Sequence, residues 1–209
     1  IFKYHTNINR IGKRNMKKIK SRAISVFTYI YRHLYLVKQF FYKIYTKMKF
    51  DRKKPMVFSI GLPKTGTTSL HHALKILGYR SIHWPRAHLK PRKGWINYFK
   101  KSGFDAFSDA PINDRGFYEE LEKEFPDAKF ILTIRKPESL AKSWDNYFKY
   151  SPWKIETQED KEKIIQNIKD HNKEVKEYFN NNPSKLLIFD ILKGDGWEKL
   201  CNFLNLPVP

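Results

Sequence analysis

Residues 57–70 read VFSIGLPKTGTTSL, and the interpretation of the whole chain starts from this stretch. Its first four residues form an apolar run typical of a buried β-strand, and Leu70, Leu74 and Leu77 then recur at helical spacing up to Gly78. A turn that leads into a helix presents free backbone N–H groups and the positive end of the helix dipole, which together suit a phosphate group. We therefore predict a phosphate-binding loop whose candidate ligands are Lys64, Thr65, Gly66, Thr67 and Thr68.

Downstream of this loop, short apolar runs alternate with longer segments of helical periodicity. The strand candidates are residues 56–60, 80–83, 104–108, 129–134 and 185–189. The helix candidates are residues 67–77, 93–101, 115–125, 137–150, 156–180 and 196–204. Such alternation predicts an α/β fold in which helices cover both faces of a parallel central sheet, a three-layer sandwich. Ligands of such folds bind at the carboxyl ends of the strands, so we expect the functional site there.

The order of residues in the loop separates it from the loop of the nucleotide triphosphatases. That loop reads G-x-x-x-x-G-K-[ST], whereas Lys64 precedes Gly66 here. The segment PKTGTTSL resembles instead the 5′-phosphosulfate loop of the sulfotransferases that use 3′-phosphoadenosine 5′-phosphosulfate (PAPS). The resemblance covers residues 56–209 and is to a short, bacterial or algal-type sulfotransferase domain. It implies a sulfotransferase fold related to that of the phosphate-loop nucleotide triphosphatases, PAPS as the sulfuryl donor, and no metal.

A second motif supports the same resemblance. In that family an apolar strand ends in an arginine, and a serine follows eight residues later on the next helix. Here the run 129–134 is followed by Arg135, Ser143 lies eight positions further on, and Pro137 marks the helix start between them. The resemblance implies that Arg135 and Ser143 bind the 3′-phosphate of PAPS through charge-assisted hydrogen bonds. Taken alone, Arg135 could instead form a surface ion pair with Glu138.

Sulfuryl transfer needs a cation beside the leaving phosphate and often a base for the acceptor proton. We expect Lys64 to supply the cation. Cytosolic members of the family take the base from a histidine after the third strand, and Asp109 occupies the corresponding place here, so the resemblance implies Asp109 as the base. An aspartate at this position could equally cap its own turn before Pro111. His83, at the end of the second strand, is the rival base because a neutral imidazole titrates in the right range.

Composition excludes several other classes of protein. Cys201 is the single cysteine, so a disulfide-stapled fold and a cysteine zinc site are excluded, and its apolar neighbours predict a buried thiol. No run approaches the roughly 18 uncharged apolar residues of a membrane span.

Asp190 ends an apolar strand as a magnesium-binding aspartate does. The phosphate loop, however, lacks the lysine-threonine order of a nucleotide triphosphatase, so we favour a structural role for Asp190.

Charge divides the chain near residues 51–55. The 209 residues carry 41 Lys and Arg against 21 Asp and Glu, a net charge of +20, and residues 1–54 hold 16 of these cations with one acid, Asp51. We therefore predict a basic arm and amphipathic helix over 1–54 and a sulfotransferase-like α/β domain over 55–209. Within 21–49 the apolar residues recur at gaps of three and four: Phe27, Tyr31, Leu34, Val37, Phe41, Ile44 and Met48. Such a helix either binds an anionic membrane surface or packs on the protein's own core, whereas nucleic acid is not expected because no recognised binding module is present.

These observations together predict a metal-independent sulfotransferase. It would move a sulfuryl group from PAPS to a hydroxyl or amine of a small-molecule, glycan or lipid acceptor, in the cytoplasm or at a membrane surface. Two rival functions remain open at this point. One is a small kinase or other nucleotide triphosphatase that uses Lys64 and Asp190, and the other is a non-enzymatic membrane or nucleic-acid binder that acts through residues 1–54.

Overall fold

The computed structural model describes residues 54–85, 92–149 and 155–209, together with seven residues nearer the N-terminus: Tyr29, His33, Leu34, Val37, Lys38, Phe40 and Phe41. The chain divides into two units, Ile1–Tyr45 and Thr46–Pro209. The seven described residues of the first unit are helical and exposed. All other positions of the predicted basic arm and amphipathic helix, except Lys54, lie outside the described residues. No helix within the described ranges is long and apolar enough to cross a membrane.

Five parallel strands form one sheet in the order β2-β3-β1-β4-β5. The strands are β1 (Val57–Ser59), β2 (Ser81–His83), β3 (Ala106–Ser108), β4 (Lys129–Thr133) and β5 (Leu186–Phe189). The helices of this unit are α1 (Thr67–Ile76), α2 (Arg92–Lys101), α3 (Phe117–Glu124), α4 (Pro137–Phe148), α5 (Gln158–Tyr178) and α6 (Trp197–Leu204). Every predicted strand and helix of the domain is present, with ends that differ by at most two residues, and the predicted parallel α/β fold is confirmed.

The two faces of the sheet bury different kinds of side chain, because successive residues of a strand point to opposite faces. One face packs aliphatic strand residues against α1 and α6, in a cluster that includes Val57, Ile131, Leu187, Leu70, Leu74, Leu200, Cys201 and Leu204. The other face carries a row of phenylalanines on paired strand positions, Phe107, Phe58 and Phe130. Ring centroids lie 5.5 Å apart between Phe58 and Phe99 of α2, and 4.9 Å apart between Phe130 and Phe179 after α5. Helical segments therefore cover both faces, and Cys201 is a buried thiol as predicted.

Local signals in the sequence account for the helix ends. Pro137 opens α4, where its missing N–H costs nothing. Gly78, with φ of 79°, follows α1 in the left-handed conformation that stops a helix. Thr157 and Asp160 form a capping box at the start of α5, each side chain accepting the other's backbone N–H at 3.0 Å.

The strand order places a crevice beside the phosphate loop. The chain leaves β1 toward β2 on one side of the sheet and leaves β4 toward β5 on the other side, although β1 and β4 are neighbours. Connections that diverge from two adjacent parallel strands leave an opening at their carboxyl ends, which is where open α/β sheets bind ligands. The loop after β1 and the residues after β4 flank this opening.

Candidate active site

The loop between β1 and α1 is fastened to the end of β4. A Cβ atom on Gly61 would lie 2.5 Å from the backbone oxygen of Thr133 and 2.0 Å from its Oγ1, so no larger residue fits there. Thr65 is buried, and its hydroxyl donates to the Leu62 backbone oxygen at 2.6 Å and lies 2.6 Å from Thr133 Oγ1. The Thr65 hydroxyl therefore holds the loop in shape, and only the backbone of this residue is left to contribute to ligand binding.

The other predicted loop ligands lie around the start of α1. Gly66, with φ of 102°, is the residue that precedes the helix, and its missing side chain leaves room for Ile191 Cδ1, which a Cβ atom would approach to 2.8 Å. Thr67 is buried and Thr68 is exposed. The Lys64 ammonium lies 3.7 Å from the centroid of the Tyr147 ring on α4, a cation–π contact. The loop thus presents one lysine and one threonine hydroxyl beside the helix N-terminus.

Arg135 follows Ile134 after the end of β4, and it connects the two sequence motifs because it contacts the phosphate loop. Its Nη1 donates to the backbone oxygen of Lys64 at 3.2 Å, and its Nε donates to Ser139 Oγ at 2.9 Å. Ser143 is half-buried one helical turn beyond Ser139 on α4. Among the described residues the hydrogen-bond partners of Arg135 are these two, and Glu138 is not one of them. Ser139 was missed by the sequence reasoning, although its spacing of four from Ser143 places both on one face of the helix.

His83 and Asp109 meet at the ends of β2 and β3. His83 Nδ1 lies 3.0 Å from Ser108 Oγ, and its Nε2 lies 3.2 Å from Thr68 Oγ1 and 3.5 Å from Asp109 Oδ2. The other oxygen of Asp109, Oδ1, accepts the Ala110 backbone N–H at 2.8 Å. Asp109 therefore caps its own turn with one oxygen and faces His83 with the other, so the two candidate bases are neighbours.

Burial keeps His83 and its neighbour His71 uncharged near neutral pH. It lowers the pKa of His83 below the usual 6.5, the Asp109 carboxylate opposes that shift, and His72 adds to it. Burial likewise lowers the pKa of His71 to about 3, with smaller contributions from His83 and His72, and its Nδ1 lies 2.8 Å from Ser81 Oγ. A neutral imidazole at position 83 retains a lone pair that can accept a proton.

Backbone strain is concentrated at the same edge of the sheet. Lys64, Trp84 and Asp109 adopt the left-handed conformation, with φ of 69°, 51° and 69°, in the loops after β1, β2 and β3. Each such non-glycine residue costs about 1–3 kcal/mol, and residues held in this way cluster at functional sites. The strain supports the assignment of this edge as the active site.

Two further polar residues near the site serve the fold. His171, buried on α5, lies with Nε2 2.9 Å from the Ile60 backbone oxygen at the base of the phosphate loop. Asp190 caps the short helical turn Ile191–Lys193 by accepting the Lys193 N–H at 3.2 Å, the structural role that the sequence favoured. Within the described residues, no three His, Cys, Asp or Glu side chains are grouped so that they could hold a metal ion.

Comparison with known proteins decides the family. The sulfotransferase domain family matches residues 56–156 and 149–209, which include the phosphate loop and Arg135. The chain belongs to the sulfotransferase domain family. The Ava biosynthesis cluster protein M of Aspergillus versicolor is 27% identical over 202 residues, covering 73% of this chain and 77% of that protein. The resemblance inferred from the loop is confirmed, and the family supports sulfotransferase activity in general.

In this sulfotransferase the site has two parts. We call Lys64, Arg135 and Ser139 the loop cluster, because all three surround the phosphate loop. We call His83, Ser108 and Asp109 the histidine cluster, which lies at the ends of β2 and β3. Thr68 joins the two, since it belongs to the start of α1 and its hydroxyl lies 3.2 Å from His83 Nε2.

Proposed function

We propose that this protein transfers a sulfuryl group from PAPS to a hydroxyl or amine acceptor. The observation that carries the proposal is the contact between Arg135 and the backbone of Lys64. These residues belong to the two motifs from which the sequence predicted binding of the 3′-phosphate and the 5′-phosphosulfate. Their contact brings Arg135 to the backbone of the phosphate loop, at the crevice between β1 and β4, which supports one nucleotide-binding site formed by both motifs.

The loop cluster has the chemistry that a doubly phosphorylated nucleotide requires. The N–H groups at the start of α1 and the Lys64 ammonium would bind the 5′-phosphosulfate, where negative charge develops on the leaving phosphate. Arg135 would bind the 3′-phosphate, oriented by Ser139 and joined by Ser143. No step of this scheme requires a metal.

The acceptor is proposed as a small molecule, with a glycan or a lipid as the alternatives. The relative from Aspergillus versicolor is named for a biosynthesis cluster, which favours a small-molecule acceptor for this protein as well. The histidine cluster, beside the loop, is the part of the site that an acceptor hydroxyl would meet.

A transfer assay in the presence of a chelator tests the proposal. The protein is incubated with PAPS, EDTA and a panel of simple phenols, primary alcohols and amines, and the release of adenosine 3′,5′-bisphosphate is followed together with the mass of each acceptor. We expect at least one acceptor to gain a sulfuryl group. Release of no adenosine 3′,5′-bisphosphate, combined with phosphoryl transfer from ATP and magnesium to the same acceptors, would replace this proposal with the kinase.

We further propose that residues 21–49 bind an anionic membrane surface. Five described side chains of this segment are large, apolar or aromatic, and more than half exposed: Tyr29 (61%), Leu34 (64%), Val37 (52%), Phe40 (59%) and Phe41 (64%). They lie in a sequence with 16 cations and one acid over residues 1–54. Aromatic and aliphatic side chains on a basic helix favour the interface of a bilayer with anionic head groups.

Vesicle flotation of the full chain tests this surface. We expect binding to vesicles that contain phosphatidylserine, weak binding to phosphatidylcholine alone, and loss of binding in a Leu34→Ser/Phe41→Ser variant. Leu192→Ser is the matched control, because Leu192 is 62% exposed in the other unit. Equal binding of the wild type and the double variant, or retention by nucleic acid in place of vesicles, would contradict the proposal.

A further inference from the structure

We propose that His83 is the base that accepts the acceptor proton, and that Asp109 is a positioning residue that acts through His83. The inference rests on the proposed function and assigns two roles within the same site. It reverses the order suggested by the family resemblance, which put the base at Asp109.

The position of His83 relative to the phosphate loop favours it as the base. Its Nε2 lies one hydrogen bond, 3.2 Å, from the hydroxyl of Thr68, the second residue of α1. A sulfuryl group bound at the start of α1 would therefore lie next to this nitrogen. Asp109 is less available, because its Oδ1 accepts the Ala110 N–H and its Oδ2 faces the imidazole.

The partners of the ring are compatible with the tautomer that a base requires, because the hydroxyl groups of Ser108 and Thr68 can each accept or donate a hydrogen bond. Ser108 is fully buried at the end of β3, and its Oγ lies 3.0 Å from His83 Nδ1. When Nδ1 carries the proton and donates it to Ser108 Oγ, Nε2 keeps its lone pair on the side of the phosphate loop. In this tautomer Ser108 accepts from Nδ1 and the Thr68 hydroxyl can donate to Nε2, so contacts at both nitrogens orient the ring.

The proposed transfer forms one S–O bond and breaks another. The acceptor oxygen attacks sulfur and forms the new S–O bond, while the bond from sulfur to the bridging phosphate oxygen breaks. The electron pair of the broken bond stays on adenosine 3′,5′-bisphosphate, beside Lys64. The acceptor proton moves to His83 Nε2, and the resulting imidazolium faces the Asp109 carboxylate at 3.5 Å, which stabilises its charge.

The groups that face His83 predict how the pH profile responds to substitution. Among the residues that the structure describes, these groups include Asp109 after β3 and the histidines His71 and His72 of α1. Burial and His72 lower the pKa of His83, whereas Asp109 raises it, so the base is deprotonated at neutral pH and the rate falls as acid protonates it. The Asp109→Asn substitution removes the raising influence and should move this acid limb to lower pH. The His72→Gln substitution removes a lowering influence and should move the limb to higher pH.

The test compares the pH profiles of kcat/KM for transfer from PAPS to the phenol of the panel that reacts fastest. We expect His83→Gln to lower the plateau by about 10²–10⁴, the usual contribution of positioned proton transfer, and to abolish the acid limb. Asp109→Asn should lower the plateau less and shift the limb, and His72→Gln should keep the plateau. Full activity of His83→Gln, or an Asp109→Asn variant that is inactive beside an active His83→Gln, would overturn the assignment.

Two controls distinguish loss of the base from misfolding, and the activity of the wild type tests the proposed function separately. Titration with adenosine 3′,5′-bisphosphate should give the same affinity for His83→Gln as for the wild type, because the loop cluster is unchanged. A His83→Ala variant should regain activity when imidazole is added, and folded His83→Ala that imidazole does not rescue would count against the base. A wild type that transfers no sulfuryl group contradicts the proposed function itself, whereas an active wild type with active His83 variants contradicts only this inference.

Discussion

The loop cluster and the histidine cluster lie at the same edge of the sheet, but the chain builds them in different ways. The loop cluster comes from two short segments, the phosphate loop with Lys64 and the region around the start of α4 with Arg135 and Ser139. Backbone packing sets the shape of the first segment, as the close approach of Gly61 to Thr133 shows. The histidine cluster is assembled from β2 and from the end of β3, and side-chain hydrogen bonds hold it together. The first kind of site can be found from a local motif, while the second exists only once the sheet has formed.

The two clusters also differ in charge. Lys64 and Arg135 are cations at the crevice between β1 and β4, which suits the anionic nucleotide. His83 is neutral near pH 7 because burial lowers its pKa, and Asp109 carries the opposite charge to the loop cations. This difference supports the proposal that the nucleotide binds at the loop cluster and that the acceptor proton moves to the histidine cluster. Substitutions in the loop cluster should therefore alter nucleotide binding and leaving-group chemistry.

The largest effect is expected at Lys64. Replacement by alanine removes the cation beside the leaving phosphate, and loss of one such group typically lowers the rate by about 10²–10³. The measurement is kcat for transfer from PAPS, with Lys75→Ala, an exposed lysine of α1, as the matched control. Turnover of Lys64→Ala within a few-fold of the wild type would remove the loop cluster from the chemistry.

The next largest effect is expected on the free energy of unfolding, through the packing of the phosphate loop against β4. Gly61→Ala forces a methyl group against the backbone of β4, which cannot move without breaking the sheet, so we expect a loss of about 3 kcal/mol in the free energy of unfolding. Gly196→Ala is the control, because the nearest atom to its Cβ would lie at an ordinary 3.9 Å. Denaturant unfolding measures both. Equal stability of the two variants would show that the loop is not fixed by this packing.

A smaller and more selective effect is expected at Arg135. Its replacement by alanine should weaken adenosine 3′,5′-bisphosphate by about 10- to 100-fold, the usual worth of a hydrogen bond to a charged group, and leave adenosine 5′-monophosphate almost unaffected. Ser139→Ala should show the same selectivity at a smaller magnitude, because Ser139 only orients the guanidinium. Calorimetric titration gives both affinities. Equal weakening of the two nucleotides would make Arg135 a structural residue.

The difference between the clusters also explains how much of the site could be predicted. The strand, loop and helix around Gly66 follow from apolar spacing and from one glycine, and Arg135 follows from the strand that precedes it. These signals are local, so the alternating pattern was enough to place them at the carboxyl edge of a parallel sheet. The family resemblance also identified Asp109 as a candidate base, and the position of His83 at the end of the second strand made it the rival.

What could not be predicted depends on contacts between distant parts of the chain. Nothing near Ser108 indicates that its hydroxyl meets His83, since 25 residues separate the two. Arg80 and Asp105 likewise form a buried ion pair between residues that are far apart in the sequence. Arg80 Nε and Asp105 Oδ2 lie 2.8 Å apart, between the starts of β2 and β3. His171 left a weak signal, because its spacing from Ile168 and Val175 puts it on the buried face of α5.

The binding of adenosine 3′,5′-bisphosphate in the presence of EDTA tests the central claim most directly. Calorimetric titration of the wild-type protein should give saturable binding without a metal, tighter than the binding of adenosine 5′-monophosphate, and both Lys64→Ala and Arg135→Ala should weaken it. The same protein should show no comparable affinity for ATP with magnesium. Binding of ATP with magnesium alone, and none of adenosine 3′,5′-bisphosphate, would contradict the assignment of the loop cluster to PAPS.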